Sequence, residues 1–353
     1  MIGRVVILDE IAGRGVAALM VDGRLEELAI DPTGDAPLPG AIYRAVADRP
    51  MKGQGGMFLR LPGGLSAFLR QTDGIAPGQR LLVQVTGPAE PGKALPVTAR
   101  LLFKSRFAII TPGAPGLNIS RQIKDEGNRD RLDTLASEGM KGADEALGLI
   151  IRSAAAETDD AVIAEDIFAM RQLAEVVLAD ATGEPELLVE GAMAHDLAFR
   201  DWLDPAPDAV ESEPGDLERN GALDLIEVLR APRVDLPNGA HMWIEPTRAL
   251  VAVDVNTGPD TSPAAGLKAN IAAARDLPRQ LRLRGLGGQI VVDFAPISKK
   301  DRAILDQVLR AAFKAEGNES TLAGWSPLGL FELTRRRDRL PLSELLPPTE
   351  ARP

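Results

Sequence analysis

In the last third of the chain, apolar runs alternate with amphipathic stretches. Residues 249–254 and 289–294 are apolar and β-branched, as buried strands are, and they reach a carboxylate at Asp254 and at Asp293. Helices are expected at about 263–284 and 298–315, with a further strand at about 328–335. This alternation predicts a layered α/β module. Pro278 lies inside the first of these helices and is expected to kink or restart it, since an interior proline costs about 3 kcal/mol.

The earlier pattern is different. Apolar runs at 16–21 and 25–30 flank Asp22-Gly23, a strong hairpin signal. Short strands at 41–47, 56–61, 65–70, 80–86 and 95–103, separated by Gly and Pro, suggest a five-stranded barrel of OB type. Residues 104–190 mix strands (106–111, 147–153) with helices (about 128–138 and 157–179). Residues 203–217, rich in Pro and acids, read as a linker. An amphipathic helix at 217–230 and a hairpin around Pro237-Asn238-Gly239 follow, and the Pro-rich stretch 340–353 reads as a tail.

Composition narrows the chemistry. A chain of 353 residues is long enough for two or three modules with their own cores. It has no cysteine, so it has no disulfide and no Cys-based zinc site, which fits a cytoplasmic setting. His195 and His241 are the only histidines, which argues against a His-rich metal site. The N-terminus reads as a strand rather than a leader, and no stretch approaches the roughly 20 apolar residues of a membrane span. The net charge of −11 argues against nucleic acid as a partner, but the charge is uneven. Residues 201–218 hold seven acids and no base, whereas residues 268–310 hold nine Lys/Arg against four Asp.

The two strand-end aspartates carry the sharpest chemical signal. A buried charge is costly unless it is paired or binds a metal. Two such ends side by side in one sheet would place two hard oxygen ligands within reach of one cation, the outline of a magnesium site for phosphodiester chemistry. A lone strand-end Asp is more often a cap or turn former. Phe58 and Phe68 could stack bases on a barrel or could fill its core. Lys93 could reach a phosphate or stay solvated. Arg152-Ser153 could bind a terminal phosphate or be an exposed strand end. Arg279, Arg282 and Arg284 stand near the aspartates in sequence and could neutralise phosphates, although a helix must turn some of them away. No Gly-X4-Gly-Lys-Ser/Thr run occurs, which discounts a nucleotide-dependent phosphotransferase.

The run Glu245-Pro-Thr-Arg-Ala-Leu-Val-Ala-Val-Asp254-Val-Asn256-Thr-Gly resembles the ribonuclease E/G family. So does Arg279-Gln-Leu-Arg-Leu-Arg284-Gly-Leu-Gly-Gly288-Gln-Ile-Val-Val-Asp293-Phe. Ser326-Pro-Leu-Gly-Leu-Phe-Glu-Leu-Thr-Arg-Arg-Arg337 is closer to the ribonuclease G branch. The resemblance implies a Mg²⁺-dependent endoribonuclease acting on single-stranded RNA, with Mn²⁺ as a substitute ion, in cytoplasmic RNA decay or rRNA processing. Asp254 and Asp293 match the metal-holding aspartates and Asn256 the asparagine that orients the site. Phe58, Phe68 and Lys93 match RNA-gripping positions, and Arg121, Arg152 and Ser153 a 5′-monophosphate sensor.

The implied fold class is a multi-domain α/β protein. An OB-fold barrel (37–103) and a sensor domain (104–190) lie within a reduced RNase H-like unit (1–36 and 191–228), ahead of a DNase I-like catalytic module (229–340) and a tail (341–353). The chain also departs from the family. Phe294-Ala-Pro296-Ile replaces Phe-Ile-Asp-Met after the second aspartate, and the family's paired asparagines reduce to Lys268 and Asn270. The Cys-based zinc link is absent, so no zinc is expected and any oligomer would not be zinc-linked. The alternative expectation is a single-stranded RNA-binding protein that has lost catalysis.

Overall fold

The computed structural model describes residues 3–51, 53, 55–70, 74–260 and 262–346. The chain divides into two compact units, each discontinuous in sequence. One comprises Gly3–Ala17 and Ala29–Glu211, and the other comprises Ala18–Leu28 and the chain from Ser212 onward. The tail expected at 341–353 lies outside the described residues from 347 on.

The chain opens with β1 (Arg4–Ile11), β2 (Arg14–Val21) and β3 (Arg24–Ile30). Asp22 and Gly23 turn between the last two with φ of 50° and 76°, the left-handed pair that a tight two-residue hairpin requires.

The barrel is built from β4 (Ile42–Pro50), β5 (Met57–Arg60), β6 (Ser66–Leu69), β7 (Arg80–Val85) and β8 (Leu95–Thr98). They pair in the order β4-β5-β6-β8-β7, and β7 pairs back onto β4, so the ring is closed as in an OB fold. Ala45, Met57, Leu59, Leu69, Val83 and Val97 fill its interior.

Beyond the barrel, β9 (Phe103–Lys104), β10 (Ala108–Pro112), β11 (Gly116–Ile119) and β12 (Leu147–Ile151) form a sheet of order β11-β12-β10-β9. The helices α1 (Glu126–Gly139) and α2 (Asp160–Ala179) share its core through Leu132, Ile163 and Ile167. Asp125 caps α1 by accepting from the Asn128 N–H at 2.7 Å. A strand not expected from the sequence, β13 (Glu186–Val189), adds to the barrel beside β4.

Next come α3 (Ala194–Asp201), β14 (Ala209–Glu211), α4 (Asp216–Arg219) and α5 (Ala222–Arg230). Two expectations fail here. The acidic stretch 203–217 is not a bare linker, because β14 pairs in parallel with β1 from Val5↔Ala209 to Ile7↔Glu211. The single helix expected at 217–230 is two, separated at Gly221 with φ 70°.

The last module holds β15 (Arg233–Asp235), β16 (His241–Pro246), β17 (Val251–Asn256), α6 (Pro263–Leu283), β18 (Gly288–Asp293), α7 (Lys299–Glu316), β19 (Ser320–Trp325), β20 (Phe331–Arg335) and α8 (Leu342–Leu345). Its six strands run in the order β15-β16-β17-β18-β20-β19. Inward-facing Met242, Ile244, Val253, Val255, Ile290 and Val292 pack with Leu277 and Leu281 of α6 and Leu305 and Leu309 of α7. Pro278 does not break α6, which runs unbroken for 21 residues. Its apolar face, from Ala269 through Ala273 and Leu277 to Leu281, is buried on both sides of the proline, and that packing outweighs the lost backbone bond.

Candidate active site

The β17–β18 pair is parallel, with Val253 opposite Val292 and Asp254 opposite Asp293. Side chains alternate across a strand, so burying the valines turns both aspartates outward onto the same open face. Both are exposed, and their Cα atoms stand about one strand spacing apart, near 4.8 Å. Neither forms an ion pair among the described residues. Asn256, two residues on and on the same face, donates its Nδ2–H to Asp254 Oδ2 at 2.8 Å.

This set suits a hard divalent cation that keeps most of its waters: two adjacent accessible carboxylates, one held by an amide. No group of three or more His, Asp or Glu residues able to hold a metal occurs among the described residues. The loop after Asp293 is fixed from below. Fully buried Asn270 on α6 donates to Ala295 O at 2.8 Å and accepts from Ala295 N–H at 3.0 Å. Phe294 anchors the same loop, its ring 5.9 Å from Trp325 and 6.4 Å from Phe331. Pro296 is exposed.

Sequence reasoning missed the neighbours on β16. Trp243 stands opposite Asp254 and His241 opposite Asn256, both on the open face. The signal was available in His241-Met-Trp-Ile-Glu245, where buried Met242 and Ile244 dictate that Trp243 faces outward.

Arg279, Arg282 and Arg284, expected near RNA phosphates, are engaged by groups of the fold. Arg279 binds Asp276 at 2.8 Å and donates to Leu25 O at 2.7 Å. Arg282 pairs with Glu27 at 3.0 Å and Glu316 at 3.3 Å. Buried Arg284 donates to the carbonyls of Leu229 and Ala231 at 2.5 and 2.6 Å, and burial lowers its pKa to about 10. All three guanidiniums hold the fold together, because α6 turns this end toward carboxylates and free carbonyls.

In the other unit, Phe58 and Phe68 are direct cross-strand partners on the outside of the barrel, half-buried, with ring centroids 5.3 Å apart. The guanidinium of Arg49 lies 4.9 Å from the Phe58 ring. Gly56 leaves room for the Phe68 ring, since a Cβ there would come within 2.4 Å of it. The two rings therefore form an external platform rather than core. Lys93 is exposed in its turn and pairs with Glu90 at 2.9 Å.

Arg152 and Ser153 are brought together but are already engaged. Arg152 binds Asp201 at 2.8 Å and donates to Ser105 O and Arg200 O, and Ser153 donates to Asp204 at 2.5 Å. Lys104 and Arg200 also bind Asp201, at 2.7 and 3.0 Å. Burial pushes the Asp201 carboxyl up, but Lys104 and Arg200 outweigh it and bring the pKa to about 2. Arg121 is exposed.

Residues 103–213 and 216–338 match the ribonuclease E/G family, together more than half of the chain. The chain belongs to the ribonuclease E/G family. A ribonuclease E of Nostoc sp. is 29% identical over 94% of this chain and 55% of its own length. A ribonuclease E of Synechocystis sp. is 30% identical over 78% of this chain and 47% of its own. A ribonuclease G of Escherichia coli is 27% identical over 92% of this chain and 78% of its own. The chain thus spans about half the length of the two cyanobacterial relatives. No helix among the described residues is long and apolar enough to cross a membrane.

Proposed function

We propose that this chain is a magnesium-dependent endoribonuclease acting on single-stranded RNA in cytoplasmic RNA decay or rRNA processing. The register of Asp254 against Asp293 carries this reading, supported by membership of a family whose relatives are named ribonucleases. Asp254 and Asp293 would hold Mg²⁺, or Mn²⁺ in its place, and Asn256 would keep Asp254 oriented. The bound ion would supply an activated water and offset charge growing on the phosphate. A water attacks phosphorus, the bond to the 3′-oxygen breaks, and the products carry a 5′-phosphate and a 3′-hydroxyl. Phe58 and Phe68 would stack bases of the single strand. We read the last module as DNase I-like and the first strands with β14 as the reduced RNase H-like part of the same architecture.

Arg121, Arg152 and Ser153 are the proposed receptor for a 5′-monophosphate. In this chain the phosphate would have to displace Asp201 and Asp204, which now occupy Arg152 and Ser153.

The test is cleavage of a 5′-monophosphorylated, AU-rich single-stranded RNA with Mg²⁺, by the wild-type protein beside Asp254→Asn. Cleavage by the wild type alone is expected, and equal cleavage by both would remove the catalytic assignment. A binder without catalysis is the second reading, favoured by the absence, among the described residues, of any group of three or more His, Asp or Glu able to hold a metal. RNA binding without cleavage by either protein would select it. Equal rates on 5′-mono- and 5′-triphosphorylated RNA would remove the sensor.

A further inference from the structure

One exposed row crosses four strands of the catalytic sheet. Arg233 on the edge strand β15 stands opposite Trp243, Trp243 opposite Asp254, and Asp254 opposite Asp293. Directly opposed residues of neighbouring strands point to the same face with Cβ atoms about 5 Å apart. The indole of Trp243 therefore lies beside the carboxylate pair, one strand away.

Among the described residues, neither the core nor a ring stack nor a side-chain hydrogen bond accounts for it there. Met242 and Ile244, on either side in sequence, supply this strand's share of the core, and Trp243 is not part of it. Trp325 of the same unit, by contrast, packs against the core and donates its indole N–H to Asp306 at 2.8 Å. Trp243 stacks on no aromatic ring and its N–H makes no hydrogen bond among the described residues. It is half-buried on an open face. Beyond it, exposed Arg233 pairs with exposed Asp235 and with no other acid among the described residues, a surface contact of small worth. An unused flat ring between a weakly held guanidinium and a candidate metal site is the chemistry that takes a nucleobase whose phosphates lie on either side.

We infer that Trp243 is the stacking platform for the nucleobase flanking the scissile phosphate. It fixes that phosphate against Asp254 and Asp293 and lets base identity there influence cleavage. This is a substrate-positioning role within the nuclease reading and rests on it. The flanking base lies on the indole face, with its phosphate toward the aspartates.

The test uses single-stranded RNAs of about ten nucleotides, each with one abasic position, the set scanning the length. Binding is measured on Asp254→Asn protein, which leaves the RNA intact, and on the same protein carrying Trp243→Ala or Trp243→Phe. One abasic position is expected to weaken binding about tenfold or more in the presence of Trp243. That penalty is expected to disappear with Trp243→Ala and to persist largely with Trp243→Phe, an outcome a purely structural tryptophan would not produce. RNA is also expected to quench tryptophan fluorescence in Asp254→Asn but not in its Trp243→Phe derivative. Abasic penalties that are the same with and without Trp243, or quenching that survives Trp243→Phe, would overturn the inference. Wild-type cleavage with no dependence on Trp243 removes the platform alone. Trp243-dependent binding without cleavage removes the nuclease reading and keeps the platform.

Discussion

Two sets of carboxylates in the same unit are treated in opposite ways. Glu316 has its side chain 3% exposed and meets Arg335, 2% exposed, through two bonds of 2.6 and 2.7 Å, with Arg282 at 3.3 Å. Burial raises its pKa, but the two arginines outweigh that and hold it below the ordinary range. Asp254 and Asp293 are exposed side by side, and neither pairs with a cation among the described residues. Like charges directly opposite one another destabilise a sheet. The fold neutralises Glu316 with two arginines and leaves the Asp254–Asp293 pair exposed, where a cation is proposed to bind. Arg282, among the arginines nearest the aspartates in sequence, is one of the two.

Breaking the saturated site should have the largest effect on stability. Glu316→Gln would leave Arg335 buried without its counter-charge and should cost about 3–5 kcal/mol, read from urea or thermal unfolding. The open site should respond in the reverse sense. Asp293→Asn is expected to lower cleavage on the order of 10²–10³-fold. It should leave unfolding stability within about 0.5 kcal/mol of wild type, or slightly raised, because it relieves repulsion. A destabilised Asp293→Asn protein would contradict the contrast. Asn256→Ala removes only the group that orients Asp254, so a loss of about 10–100-fold is expected, with stability again little changed.

The smallest effect concerns Asp201, the saturated carboxylate of the other unit. Its folded pKa of about 2 lies below the roughly 3.9 of an unfolded Asp. Its contribution is therefore complete above about pH 4 and lost as pH falls through about 2. Asp201→Asn should flatten the acid limb of the stability profile across that window.

Much of this was legible in the sequence. The β-branched runs ending at Asp254 and Asp293, the Asp22-Gly23 turn and the Gly/Pro spacing of the barrel are local signals, and the structure keeps them. What was not legible depended on distant partners. The short strand β11 shows no alternation because it is mostly exposed, and β14 exists only because β1 lies beside it, about 200 residues earlier in sequence. That Arg279 and Arg282 are tied into the fold was not legible, because their acceptors, Leu25 and Glu27, lie more than 250 residues away. Trp243 was missed for a different reason: its importance depends on the register of β16 with Asp254.

Those long-range contacts also bear on how the protein is made. Arg24 contacts Asp276, Glu27 holds Arg282 and Arg339, and the Leu25 and Leu28 carbonyls accept from Arg279 and Arg339. The hairpin tip is made long before Arg279, Arg282 and Arg339, so Glu27 and the Leu25 and Leu28 carbonyls meet these partners only late in synthesis. Until then Glu27 must stay hydrated while the intervening barrel folds. A fragment starting at Ser212 would carry the aspartate pair but would leave Arg279, Arg282 and Arg339 without these acceptors. The segment that bears the proposed chemistry is therefore completed by residues 24–28, far upstream in sequence, and excising it by sequence position would remove part of its own foundation.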